Sequence, residues 1–166
     1  ERYADVIGGR FHYKPGSLHG TEFPDSGYCF DATQEIEVVD TDHPICSGVP
    51  ESFSITDEAY LCPIFEESVT PILRSHFNFE DSSNFYSAAL AMQGEMNSNE
   101  SWTHPKGSSL VAWVRWEKSS PIAYIQLGDG PSAYMDSNFR KLLNNAIDWV
   151  SSEEAKTSSS AKSKSN

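Results

Sequence analysis

Ser109–Gly130, SLVAWVRWEKSSPIAYIQLGDG, is the stretch whose reading decides the fold. Leu110–Trp116 is a run of large apolar residues, and Pro121–Leu127 is a second apolar, strand-forming run. The polar Glu117–Ser120 between them is short enough for a hairpin turn. The second run stops at Gly128-Asp129-Gly130-Pro131, and a helix begins near Asp136. Strand, glycine-flanked acid, loop, helix: that order places Asp129 at the carboxyl end of a buried strand. In open α/β sheets, ligands sit at that end. A tight turn, with Gly128 and Gly130 supplying positive φ, is the plainer account of the same residues.

The helix that follows is the clearest in the chain. Phe139, Leu142, Leu143, Ala146, Ile147 and Val150 recur at helical spacing on one face, with Asp136 or Ser137 as cap. Arg140, Lys141, Asn144 and Asp148 face away. Ser151–Asn166, SSEEAKTSSSAKSKSN, has no apolar residue larger than alanine. Its composition predicts a disordered tail, so the expected organisation is a domain over 1–152 and a tail over 153–166.

Upstream, Tyr3, Ala4, Val6 and Ile7 before Gly8-Gly9 read as the end of a helix. An opening in mid-helix without methionine suggests a fragment or a trimmed chain. Arg10–Thr33 reads as a long, irregular, aromatic-rich loop, of the kind that is usually functional or mobile. Ile36–Val39 and Pro71–Ser75 read as strands, and Asn84–Met92 as a helix ended by Gly94. Pro44 restrains His43 to an extended conformation. After the short apolar Phe53–Ile55, Thr56-Asp57-Glu58-Ala59-Tyr60 admits two readings. It is a helix cap or solvated turn, or it is a general base whose pKa a neighbouring anion raises.

Composition narrows the function. The chain has 166 residues, a net charge of -12 and 12% aromatic content, which suits one acidic domain with a real core. Such a charge repels phosphate backbones, so no nucleic-acid partner is expected. No apolar run reaches a membrane span, and no secretory leader pattern is present, which favours a cytoplasmic setting. Asn99-Glu100-Ser101 would be a glycosylation sequon only in a secreted eukaryotic protein. Cys29, Cys46 and Cys62 lack C-x-x-C spacing and read as buried free thiols. The five histidines show no paired metal-ligand spacing, so no metal site is assigned.

Several stretches taken together resemble the ThuA-like (trehalose utilisation) family. They are Ile7-Gly8-Gly9-Arg10-Phe11, His43-Pro44-Ile45 with Gly48, Asp57-Glu58-Ala59-Tyr60, Val111–Arg115, Leu127-Gly128-Asp129-Gly130 and Asn145-Ala146-Ile147-Asp148-Trp149. The resemblance implies an α/β fold: part of a flavodoxin-like, class I glutamine amidotransferase-like three-layer sandwich, with a mixed sheet and a C-terminal helix. Family domains begin with several βα units ahead of the point matching Glu1. Many carry Gly-His where this chain has Gly128-Asp129, which argues against amidotransferase chemistry here. The implied function is carbohydrate metabolism on a disaccharide or keto-sugar, with proton transfer next to a sugar carbonyl if the protein is an enzyme. A non-catalytic carbohydrate-binding or interaction domain is the alternative. Asp57, Glu58 and Asp129 are the candidate bases. His43, Tyr60, Trp113 and Arg115 are the candidate substrate contacts, with Trp113 stacking on a sugar face. The three acids are expected to converge on one cleft. The cofactor is unassigned, the partner is a small carbohydrate, and a homo-oligomer is open.

Overall fold

The structure, a computed structural model, describes residues 2–162. Its organising hairpin joins β7 (Leu110–Glu117) to β8 (Ser120–Ile125), antiparallel, with Trp113 opposite Tyr124. Lys118 turns the chain at φ 56. Leu110–Val114 are all buried, because helices cover both faces of β7. On one face Trp113 donates its indole N–H to the Ile7 carbonyl of α1 (Arg2–Ile7) at 2.7 Å. On the other, Trp116 meets Trp149 edge-on and donates to the Ala155 carbonyl, also at 2.7 Å. Trp149 belongs to α4 (Ser137–Ser151) and Ala155 to α5 (Glu153–Lys162). Helix, sheet, helix is therefore the layering around this strand.

Three further strands complete the main path: β3 (Gly27–Val38), β4 (Ser52–Leu61) and β5 (Thr70–Ser75). The order is β4-β3-β5-β7-β8, with the short β6 (Tyr86–Ser87) on the start of β3. Every pairing among these strands is antiparallel, where a mixed sheet was expected. The reason is in the connections. Parallel neighbours need a crossover of a dozen or more residues, usually a helix. Here, among the described residues, the helical segments between strands of this sheet are three-residue 3-10 turns and the five-residue α2 (Ala88–Met92).

The predicted loop over Arg10–Thr33 is instead a small hairpin, β1 (Gly16–Leu18) with β2 (Thr21–Phe23), followed by the first half of β3. His19 and Gly20 take left-handed φ at the hairpin turn. Two features hid β3. A bulge between Cys29 and Ala32 puts Asp31 at φ 50, and the inward series Ala32, Gln34, Ile36, Val38 carries a buried glutamine. The predicted helix over Asn84–Met92 shrinks to α2, capped by Ser87, whose hydroxyl accepts from the Leu90 N–H. Gly94 follows it at φ 93, as a helix stop should.

The C-terminal helix matches its sequence pattern. Asp136 caps α4 by accepting from the Asn138 and Phe139 N–H groups, both at 2.8 Å. Phe139, Leu142, Ala146 and Trp149 are buried against the sheet. Ile147, at 57% exposure, lies off that face. α3 (Pro131–Met135) leads into it. Cys46 and Cys62 are free and buried, and burial pushes their thiols up to about 11 and about 12; Cys29 is free and half-buried. Among the described residues no helix is long and apolar enough to cross a membrane.

The expected disordered tail is corrected over residues 153–162, which form α5; residues 163–166 lie outside the described residues. Ala155 is 1% exposed, and its carbonyl holds the Trp116 indole. A chain ending at Ser152 therefore loses a part-buried hydrogen bond and some apolar cover. We expect it to be less stable by about 1–2 kcal/mol, a fall of roughly 3–6 °C in thermal midpoint. A melting curve unchanged by the truncation would mean that α5 adds nothing to the fold.

Candidate functional site

β4 and β8 stand at opposite ends of the strand order, yet the sheet curls until they meet at one corner. Three contacts mark the junction. The Asp57 carboxylate of β4 accepts the Gly128 N–H at 2.6 Å and the Gly130 N–H at 3.3 Å. Gln126 donates its side-chain amide to Cys62 Sγ at 3.8 Å. Ser132 donates its hydroxyl to the Thr56 carbonyl at 3.4 Å. Gly128 is required here: its φ is +115, and a Cβ would stand 2.9 Å from Phe139 Cζ. Gly130 has an ordinary φ of -104, so only one of the two glycines supplies the left-handed turn.

A cleft of about 540 Å³ opens on the other face of this corner. Glu58 and Tyr60 enter it from β4, Gln126 and Asp129 from the segment after β8. Phe11, Tyr13, Tyr28, Met92 and Met96 also line it. Phe11 stands edge-on to Tyr60 at 5.5 Å and to Tyr13 at 5.2 Å, so three rings are locked in a row.

The polar centre of the cleft is Tyr60. Its hydroxyl donates to Asp129 Oδ1 at 3.2 Å and also faces Glu58. Burial, then the carboxylates of Glu58 and Asp129, drive the Tyr60 phenol far above its ordinary pKa, so it stays a proton donor. The Glu58 carboxyl is held above the usual range, chiefly by desolvation and further by the charge of Asp129, against a lowering hydrogen bond from Tyr60. The shift favours the protonated form of Glu58 beside the Tyr60 hydroxyl.

The three acids do not share one role. Asp57 and Glu58 are consecutive on a strand, and consecutive side chains leave a strand on opposite faces. Asp57, 2% exposed, turns inward beside Phe53, Ile55, Ala59 and Leu61 and ties down the loop that carries Asp129. Glu58 turns outward into the cleft. The expected helix cap or surface turn at Thr56–Glu58 is thus the middle of β4.

The structure brings Glu58, Tyr60 and Asp129 together, and places the remaining candidates elsewhere. His43 caps a 3-10 turn, its Nδ1 accepting the Ile45 N–H at 3.2 Å, and its ring rests on Trp149 at 5.0 Å. Asn145 of α4 fastens that turn through the Ile45 and Ser47 carbonyls. Trp113 is 1% exposed and stacks on Tyr124 at 4.4 Å, so no sugar reaches its face. Arg115 lines a separate cleft with Asp5, His19, Phe65 and Glu66. Phe11, Tyr13, Tyr28 and Gln126 were not singled out by sequence reasoning. The aromatic density of residues 11–28 was the available signal for the first three. Among the described residues no three His, Cys, Asp or Glu side chains are grouped to hold a metal ion.

Comparison with known proteins agrees with this architecture. The family model for ThuA, trehalose utilisation, matches residues 1–150. A ThuA-like protein from Bacteroides uniformis superposes with a TM-score of 0.52 at 18% identity, over 92% of this chain and 51% of that one. A second, from Parabacteroides merdae, gives 0.57 at 12% identity, over 90% and 54%. The chain therefore spans about half the length of these solved relatives. At such identities the likeness concerns the fold, which is α/β, of the partial flavodoxin-like class expected, with its C-terminal helix on the sheet. No curated protein is similar enough to count as a relative. The match over nearly its whole length shows that the chain belongs to the ThuA (trehalose utilisation) family.

Proposed function

We propose that the corner cleft binds a carbohydrate and moves a proton next to its carbonyl. The observation that carries this reading is the hydroxyl of Tyr60 held against Asp129 beside a Glu58 whose carboxyl is shifted upward. A keto-sugar offers an acidified C–H, a carbonyl oxygen and flanking hydroxyls. Glu58 takes the proton from carbon, and the C–H electron pair moves into the carbonyl to give an enediolate. Tyr60 turns its one O–H from Asp129 to that oxygen, a role that needs a protonated phenol. Asp129 accepts substrate hydroxyls and orients Tyr60. Return of the proton to the neighbouring carbon gives an isomer; return to the same carbon gives exchange or epimerisation. The aromatic rings of Phe11 and Tyr13 suit the apolar faces of sugar rings.

The test is solvent exchange. Incubation with 3-keto-sugars in deuterated water, followed by NMR, is expected to show loss of the C–H signal adjacent to the carbonyl. The rate should rise with pH as Glu58 loses its proton, because only the carboxylate is a base. Saturable binding without any exchange would instead assign the cleft to a non-catalytic carbohydrate-binding domain, a role the aromatic walls serve without a base.

A further inference from the structure

On the carbohydrate reading above, the charge pattern of the cleft goes further: we infer that it selects sugars bearing an amine and rejects phosphorylated or carboxylated ones. Glu58 and Asp129 both face the cleft, and among the described residues none of its lining side chains is a lysine, arginine or histidine. Both carboxylates face the one phenolic proton of Tyr60. An anionic substituent entering here meets like charge and, among the described lining side chains, only neutral donors: four phenols, the Cys62 thiol and the Gln126 amide.

An ammonium group suits the same space on three counts. Its three N–H donors match two carboxylates and the Tyr60 oxygen. Its charge cancels the repulsion between Glu58 and Asp129. The rings of Phe11 and Tyr13 line the same cleft, where aromatic carbon tolerates a cation through cation–π attraction. A neutral hydroxyl in that place makes the hydrogen bonds but leaves the negative charge uncompensated. The parent sugar is therefore the weaker ligand and the phosphorylated sugar the excluded one.

The chain carries its own reporters. Of its three methionines, Met92 and Met96 line the cleft, while Met135 is 76% exposed and outside it. The full chain with carbon-13-labelled methionine methyls would be titrated near neutral pH, at fixed ionic strength, with glucose, 3-amino-3-deoxyglucose and glucose 6-phosphate. We expect the amino sugar to move the Met92 and Met96 signals with a dissociation constant about tenfold below that of glucose. Glucose 6-phosphate should leave them still, and Met135 should not respond to any of the three. Glu58→Gln/Asp129→Asn should weaken both sugars, and the ratio of their dissociation constants should fall from about tenfold to about one.

Glucose binding with no gain from the amine, or equal binding of the phosphate, overturns the inference and leaves the carbohydrate cleft standing. An equal response at Met135 overturns it as well, since it would mark nonspecific attraction of cations to a chain of net charge -12. No sugar moving Met92 or Met96 overturns both this inference and the carbohydrate reading.

Discussion

Asp57→Ala should cost more stability than any other change at the corner. The carboxylate is buried and accepts two backbone N–H groups, from Gly128 and Gly130, across 71 and 73 residues of chain. Alanine leaves both half-buried donors without their partner. Each such orphan costs about 1–3 kcal/mol, so a loss of roughly 2–4 kcal/mol is expected. For a domain of this size that lowers the thermal midpoint by about 6–12 °C. Asp57→Asn keeps the shape and one acceptor oxygen but turns an amide NH2 toward the second donor, so it should lose about half as much. Both variants release the loop that carries Asp129, and sugar affinity should fall with stability. Asp129→Asn gives the contrast. Its carboxylate meets the Tyr60 hydroxyl at the cleft rather than the turn, so stability should change by less than about 1 kcal/mol while affinity drops. A calorimetric midpoint for Asp57→Ala within 2 °C of the parent would show that the Asp57 anchor does not hold the corner together.

Glu58→Gln should have the opposite signature: activity lost, stability kept or gained. Removing a general base lowers proton-transfer rates by about 10²–10⁴, so carbon-bound deuterium exchange should fall by that factor. The stability effect follows from the upward shift of the Glu58 carboxyl, which desolvation leads. An acid whose pKa is higher folded than unfolded favours folding below its unfolded pKa. That advantage is lost as pH rises through the folded value. The parent protein therefore carries a small penalty at neutral pH that glutamine, which does not titrate, removes. Because Glu58 is only half-buried, screening keeps the gain in thermal midpoint small. The gain should vanish in acid, where both side chains are neutral. A variant that exchanges at the parental rate and melts several degrees lower would make Glu58 a structural residue and end its candidacy as base.

These two variants act on adjacent residues, and the difference between them was half legible in the sequence. Ser52–Leu61 alternates apolar and polar residues with a single exception: Asp57 stands where the pattern asks for a hydrophobic side chain. Read as a helix cap or turn, Asp57 and Glu58 share an environment. Read as a strand, they part at once. The cap-or-turn reading passed over this alternation, which is a strand signal with an acid at an inward position. Which two N–H groups the anchor holds was not contained in that segment.

Local chemistry settled the elements whose signals lie within a few residues. The β7–β8 hairpin follows from two apolar runs and a polar turn. α4 follows from its 3.6-residue stripe and the Asp136 cap. The end of α1 and the turn at Gly128 follow from glycines that take left-handed φ. The extended backbone of His43 follows from Pro44. The curl of the sheet decided everything that joins distant segments. It made Trp113 a core residue stacked on Tyr124 and Tyr60 a cleft residue bonded to Asp129, although both are aromatics on strands. It kept His43 under α4 and sent Arg115 to another cleft. A strand's periodicity tells which residues share a face, but not what covers that face. That depends on which edges meet, and here β4 and the end of β8 meet only because the hydrophobic core bends the sheet until Asp57 reaches the loop at Gly128.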